Sequence, residues 1–334
     1  MDGPNRGGAG PPGAGRPNSG PGPRHSGPGP RHSGAGPPGA DRRQPRRSGS
    51  ILVMLLLVDL DGVVYRGAQP VPGVAALLVA RAEAGDEVVY VTNNSMWDRA
   101  DYVTRLSGMG APVDPDRIIS SARATALYLR DLQPPVRRVL VVGGAGLVNE
   151  LVDAGIEVVL SGDAAERWSA NGRDAAAAVG HVDAVVVGLD LEFTYARLAC
   201  AAEAVRAGAR FVATNRDPIY PHEKGLMPGA GSIVAAIEAA SGVTPVSIGK
   251  PGPLLLEIAA HAVGKEASDA VMIGDSLVTD VPAAVAVGAR SVLMLTGIST
   301  RKQVEALAAS DRPTEIAADA AELAVALDRL AGGG

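Results

Sequence analysis

From residue 51 onward the chain alternates short, unbroken apolar runs with longer stretches whose apolar positions recur every three or four residues. Runs at 52–58, 87–92, 138–142, 184–188, 210–213, 245–248, 270–273 and 291–295 end in turn-forming residues. Such runs predict strands buried on both faces of a parallel sheet. Between them, 74–84, 99–107, 147–154, 194–207, 232–240, 253–262, 281–287 and 300–309 carry the helical period. Gly85, Gly155, Gly208, Gly242 and Gly288 each fall just past a helical stretch, where caps are expected. This alternation predicts an α/β fold with a Rossmann-like parallel sheet and crossover helices. Pro134-Pro135 and the prolines at 218 and 221 mark two points between which a second α/β unit could be inserted into the first.

The first 50 residues break the pattern. Half of them are Gly or Pro, and Pro21-Gly22-Pro23-Arg24-His25-Ser26-Gly27 repeats at once as 28–34. With almost no apolar side chains to bury, the segment cannot offset its ordering entropy, so a disordered tail is expected over 1–50. Eight Arg against Asp2 and Asp41 give the tail six net positive charges; the whole chain carries −5, leaving −11 on the remainder. A basic tail could touch nucleic acid or anionic lipid. The preferred reading is a solubilising extension, or a stretch upstream of a translation start at Met54, and no nucleic-acid partner is expected. The remaining residues are numerous enough for one large or two modest domains, and 46% apolar content supports a sizeable core. No apolar run approaches the ~18 residues of a membrane helix. The single cysteine, Cys200, reads as a small buried apolar residue, and a reducing cytoplasm is the expected setting.

Chemistry gathers at four strand ends. The run to Val58 is followed by Asp59-Leu60-Asp61-Gly62-Val63. Residues i and i+2 of an extended chain point the same way, so both carboxylates face one small volume at a strand's carboxyl end, where open α/β sheets bind ligands. Like charges that close need a cation or a shared proton, which suits Mg²⁺ with one nucleophilic and one acid/base carboxylate. Taken alone, the segment reads equally well as a solvated Asp-Gly turn. The next strand ends in Thr92-Asn93-Asn94-Ser95, a set of donors for an anion, or an Asx turn with Ser95 capping the following helix. Lys250, one of four Lys among 31 basic residues, follows an apolar strand in the turn Gly249-Lys250-Pro251, where it could neutralise phosphate or simply be a loop lysine. Finally Met272-Ile273-Gly274-Asp275 is followed by Asp280, so Asp275 fits a metal ligand, and Asp280 a more remote or water-mediated one or a helix cap.

The ordered set Asp-x-Asp-Gly, strand-end Thr, Lys and Gly-Asp-x-x-x-x-Asp resembles the haloacid dehalogenase-like hydrolases. Thr92-Asn93-Asn94, Gly249-Lys250-Pro251 and Gly229-Ala230-Gly231 resemble its class IIA, the NagD-like phosphatases; Val63 departs from the Thr of many relatives. The resemblance covers residues 55–330. It implies a discontinuous core at 51–126 and 228–334 with an α/β cap inserted at 127–227. It implies that Asp59 is the nucleophile of an aspartyl-phosphate and that Asp61 protonates the leaving alcohol and then activates water. Thr92, Asn93, Asn94 and Lys250 would bind phosphate, and Asn215 and Asp217 would close over it from the cap. Mg²⁺ would be held by Asp59, Asp61 through its backbone carbonyl, and Asp275, with Asp280 behind them. The implied substrate is a small phosphorylated metabolite, with glycerol 3-phosphate first and phosphoglycolate, pyridoxal phosphate or a sugar or nucleoside monophosphate as alternatives. A homodimer is among the expected assemblies.

Two other classes compete. Val142-Gly143-Gly144-Ala145-Gly146 runs from a strand into a helix like a dinucleotide fingerprint, but Asn149 stands where its third Gly or Ala belongs. A non-catalytic phosphate-binding protein on a decayed scaffold is opposed by the intact Asp59, Asp61, Lys250 and Asp275.

Overall fold

A computed structural model describes residues 53–222 and 225–332; the Gly/Pro/Arg-rich segment 1–50 lies outside the described residues. Two all-parallel sheets carry the fold. The first has six strands in the order Glu315–Ala317, Arg290–Met294, Ala270–Gly274, Leu55–Val58, Glu87–Thr92 and Ile118–Ser120. Chain order reverses between Leu55–Val58 and Ala270–Gly274, the switch point at which doubly wound sheets open a ligand crevice. Register is tight there, with Val58 opposite Ile273 on one side and Tyr90 on the other.

The strand Leu55–Val58 is buried throughout because helices cover both of its faces. Leu55 and Leu57 join a cluster containing Leu129, Leu255 and Leu256. Leu56 and Val58 point the other way, into a cluster with Leu78, Leu106, Leu323 and Leu327. The alternation of a strand thus divides one apolar run between two cores. Among the described residues, no helix is long and apolar enough to cross a membrane.

The second sheet has the order Val246–Ser247, Arg210–Ala213, Ala184–Val187, Arg138–Val142 and Glu157–Leu160. It extends further along the chain than the sequence suggests. Residues 228–247, assigned above to the first unit, pack with the second sheet. The helix Ala230–Ser241 shares a cluster with the helix Tyr195–Arg206 through Ile233, Val234, Cys200 and Ala201, and Gly242, with φ of 77°, closes it. The prolines that resemble a linker lie in and beside an antiparallel hairpin, Ile219–His222 with Gly225–Pro228. The other expected boundary, at 126/127, falls inside the helix Ser121–Asp131.

The Gly143–Gly146 turn is not a dinucleotide cradle. A Cβ on Gly146 would stand 2.5 Å from the Met96 carbonyl oxygen and 2.6 Å from the Trp97 carbonyl carbon. The approach a pyrophosphate would need is taken by protein backbone. The helix that follows, Ala145–Asp153, docks on the start of the helix Arg99–Gly108. Buried Glu150 accepts from the Arg99 backbone N–H at 3.0 Å and from its Nε at 3.2 Å, while Arg99 also reaches Asp153 at 3.0 Å. Asn149 donates to Asp98, the residue capping Arg99–Gly108, at 2.7 Å.

Removing one partner of a buried ion pair leaves the other uncompensated, at a cost of about 3 kcal/mol or more. Glu150→Ala is therefore expected to lower the unfolding free energy by about 3 kcal/mol in urea titrations. A loss within the roughly 0.5 kcal/mol usual for surface changes would mean that the clamp carries little of the docking.

Candidate active site

Asp59 follows the strand Leu55–Val58, and its backbone N–H donates to the Ile273 carbonyl at 2.8 Å, so the two strands flanking the switch point stay paired up to the site. Asp275 follows the neighbouring strand, Ala270–Gly274. The carboxylates of Asp59, Asp275 and Asp280 offer oxygens that all lie within 4.8 Å of one another. Into this group projects the Lys250 ammonium, 2.8 Å from Asp59 Oδ1 and 2.6 Å from Asp280 Oδ1. Lys250 is only 2% exposed.

Asp280 neither caps a helix nor hangs free. Its Oδ1 holds Lys250, and its Oδ2 accepts from the backbone N–H groups of Asp275 and Ser276 at 2.9 and 3.0 Å. Gly274 makes room for it, since a Cβ there would come within 2.3 Å of the Asp280 carboxylate. Asp280 is thus a bracket between the Asp275 loop and the lysine. Asp275 accepts from the Ile298 N–H at 2.8 Å. Asp61 is exposed on the same strand-end loop as Asp59.

Burial pushes the Asp59 carboxyl well above its usual range; Lys250 opposes that shift, and Asp280 and Asp275 add to it. The Asp275 carboxyl is pushed up to about 6 by burial and by the Asp280 charge. Burial pulls the Lys250 ammonium down, but Asp280 and Asp59 outweigh it and hold the group above the ordinary lysine value. Asp61, although open to solvent on one side, is raised by the protein around it, against the pull of Arg105 and Lys250.

These shifts bear on a metal. Three buried carboxylates share one ammonium, an excess of negative charge that a divalent cation would offset. The donors are all oxygens, which suits a hard ion such as Mg²⁺. Asp59 and Asp275 could hold it directly. The oxygens of Asp280 are already engaged, which fits a supporting place better than a direct one.

Thr92, buried at the end of the strand Glu87–Thr92, accepts from the Asn94 N–H at 3.2 Å. The Asn93 side chain is fully occupied. Its Oδ1 accepts from the Lys250 N–H at 2.8 Å, and its Nδ2 donates to the Lys250 carbonyl at 2.9 Å and to Asp217 Oδ2 at 3.0 Å. Any contact of Asn93 with phosphate must therefore use its backbone. The Asn94 side chain turns away to accept from Met96 N–H at 2.9 Å, an Asx turn. Ser95 is not the cap of the following helix; Asp98 is, and the Ser95 hydroxyl accepts from Thr214 at 3.3 Å. Asn215 donates to the Asn93 carbonyl at 2.8 Å and accepts from Asp217 N–H at 3.1 Å, so its side chain braces the loop. Burial raises the Asp217 carboxyl, while the Asn93 amide and the Lys250 charge restrain that rise.

Sequence reasoning missed two contributors. Arg105 stacks over Tyr65 and Trp97, with its guanidinium carbon 3.7 and 4.6 Å from the ring centroids, and donates to the Gly67 carbonyl. The second is the loop after the strand Arg290–Met294, which supplies the Ile298 N–H. It was legible by the rule already applied to the other four loops, an apolar run ending in polar and Gly residues at Thr296-Gly297.

The chain is similar to known proteins in both sequence and fold. The family described as haloacid dehalogenase-like hydrolase matches residues 56–157, and the one described as HAD-hydrolase-like matches 247–323. The acid sugar phosphatase of Staphylococcus saprophyticus is 34% identical over 249 residues, 75% of this chain and 89% of the relative. The p-nitrophenyl phosphatase from Archaeoglobus fulgidus has a TM-score of 0.71 at 30% identity, covering 82% of this chain and 99% of that one. The glycerol phosphate phosphatase from Mycobacterium tuberculosis, solved in complex with magnesium, has a TM-score of 0.68 at 35% identity, covering 80% and 76%. The chain belongs to the haloacid dehalogenase-like hydrolases.

Asn93→Ala removes three hydrogen bonds at once, each worth about 1 kcal/mol net. We expect a stability loss of about 2–3 kcal/mol by denaturant titration and a fall in kcat larger than any rise in KM, because the lysine loop loses its brace. A KM increase with unchanged kcat would instead mark Asn93 as a substrate contact alone.

Proposed function

We propose that the protein is a Mg²⁺-dependent phosphomonoester hydrolase that acts on a small phosphorylated metabolite through an aspartyl-phosphate. The observation that carries this reading is the cluster of Asp59, Lys250, Asp280 and Asp275 at the switch point of the first sheet. It is supported by relatives named as phosphatases. In this reading an Asp59 oxygen attacks phosphorus, and the bond from phosphorus to the ester oxygen breaks. Asp61 delivers its proton to the departing alkoxide, a role its raised carboxyl suits. The Asp61 carboxylate then takes a proton from water as the water oxygen attacks phosphorus, releasing Asp59 and inorganic phosphate. Lys250, with Thr92 and the Asn93 backbone, neutralises and orients the phosphoryl oxygens. Mg²⁺ held by Asp59, Asp275 and the Asp61 carbonyl would offset charge on the transferring group.

The second-sheet unit would serve as the cap, with Asp217 as its contribution to the mouth of the site. Glycerol 3-phosphate is the first-choice substrate, supported by the Mycobacterium tuberculosis relative; sugar phosphates follow from the Staphylococcus relative. The single buried cysteine fits a reducing cytoplasm. A panel of phosphomonoesters ranked by kcat/KM tests the substrate.

Exhaustive EDTA treatment is expected to abolish turnover of p-nitrophenyl phosphate, and added Mg²⁺ to restore it; full activity without metal would overturn the metal role. For Asp61→Asn, general acid catalysis worth ~10²–10⁴-fold should be lost with an alkyl phosphate. The loss should be much smaller with p-nitrophenyl phosphate, whose leaving group needs little protonation. Equal losses for the two would argue against the acid role.

A further inference from the structure

The Asp275 carboxylate lies between two glycines from different loops. A Cβ on Gly297 would stand 1.8 Å from Asp275 Oδ2, and one on Gly62 would stand 2.2 Å from the same oxygen. No side chain larger than hydrogen fits at either place without displacing the carboxylate. The two loops are tied to each other, because Thr296 Oγ1 donates to the Gly62 carbonyl at 2.6 Å. They are also tied to Asp275. The Ile298 N–H donates to its Oδ2 at 2.8 Å, and the Ser299 N–H donates to its backbone carbonyl at 3.2 Å. Ser299 Oγ accepts from the Leu277 N–H at 3.0 Å, two residues past Asp275. Ser299 is buried, although its neighbour Ile298 is 71% exposed, so the loop faces the carboxylate with its backbone and turns its apolar side chain outward.

We propose that the Thr296–Ser299 loop, locked to Gly62, is a positioning device that fixes Asp275 in one orientation, committing Oδ2 to the protein backbone and leaving Oδ1 for the metal. The inference rests on the reading that Asp275 is a ligand of a divalent cation. Its physical ground is general: groups behind a ligand that hold its second oxygen set its direction, and their loss costs about 10- to 100-fold in metal affinity. A carboxylate gripped in this way enters the site already oriented and loses little rotamer freedom when the ion binds. Thr296 and Gly297 themselves touch neither substrate nor metal in this scheme.

Mn²⁺ binding to the full-length protein, followed by loss of the free-ion electron paramagnetic resonance signal and by displacement with Mg²⁺, tests the inference without reference to turnover. Thr296→Val, which removes the tie to Gly62, and Gly297→Ala, which pushes the carboxylate aside, should each weaken Mn²⁺ binding by about 10- to 100-fold. Thr296→Ser keeps the hydroxyl and should bind Mn²⁺ as the unaltered protein does. In turnover of p-nitrophenyl phosphate, the Mg²⁺ concentration for half-maximal rate should rise by more than kcat at saturating Mg²⁺ falls. If Gly297→Ala does not fold, the pair Thr296→Val and Thr296→Ser decides the matter. Unchanged Mn²⁺ affinity in a folded Thr296→Val, or an equal loss in Thr296→Ser, would overturn the positioning role while leaving the metal reading intact. Failure of the unaltered protein to bind Mn²⁺ would overturn the metal reading and this inference with it.

Discussion

The site depends on one buried cation. The Lys250 ammonium is almost wholly removed from water, and a charge so placed is tolerated only when paired and hydrogen-bonded. Asp59, at the end of the strand Leu55–Val58, and Asp280, at the start of the helix Asp280–Ala286, provide that pairing. The requirement runs outward. Asp280 must be held by the backbone of Asp275 and Ser276, Gly274 must lack a side chain, and Asn93 must grip the peptide of Lys250 on both its N–H and C=O. The negative charge left over on Asp59 and Asp275 would suit a divalent cation in the same pocket.

Much of this was legible along the chain, and the limits have physical causes. Interior strands such as Glu87–Thr92 and Arg138–Val142 are found at their predicted bounds because burial on both faces demands unbroken apolar runs. The strands of the two parallel sheets absent from the prediction, Ile118–Ser120, Glu157–Leu160 and Glu315–Ala317, all lie at sheet edges. They are three or four residues long, and in Glu157–Leu160 two of the four are exposed, so no comparable run is required. Asp59, Asp275 and Lys250 were visible because each follows a predicted strand run. The work done by Asn93, Asn94 and Asn215 was not. An amide after a strand can face a ligand or its own backbone, and only the fold shows that the Asn94 and Asn215 side chains brace loops while that of Asn93 braces the lysine.

The same distinction explains the misplaced boundary. Proline-rich sequence marks a place where the chain cannot continue a helix or an interior strand, and that is as true of a hairpin as of a linker. Here the prolines sit in and beside a hairpin within the second unit. The return to the first sheet comes some twenty residues later, after the strand Val246–Ser247, which lies within the predicted run 245–248 but pairs with the second sheet.

That return route has a mechanical meaning. The Ile248 and Gly249 N–H groups still donate to Ala213 and Thr214 of the second sheet, at 3.0 and 2.8 Å, and the very next residue is Lys250, whose ammonium lies among the carboxylates of the first. The chain linking the two sheets is therefore also the lever arm of the cation. With roughly 3.5 Å of reach per residue there is no slack to absorb a large displacement. The second sheet cannot swing far from the first without drawing the lysine out of its socket, so the spacing of the two units and the charge state of the pocket form a single mechanical variable.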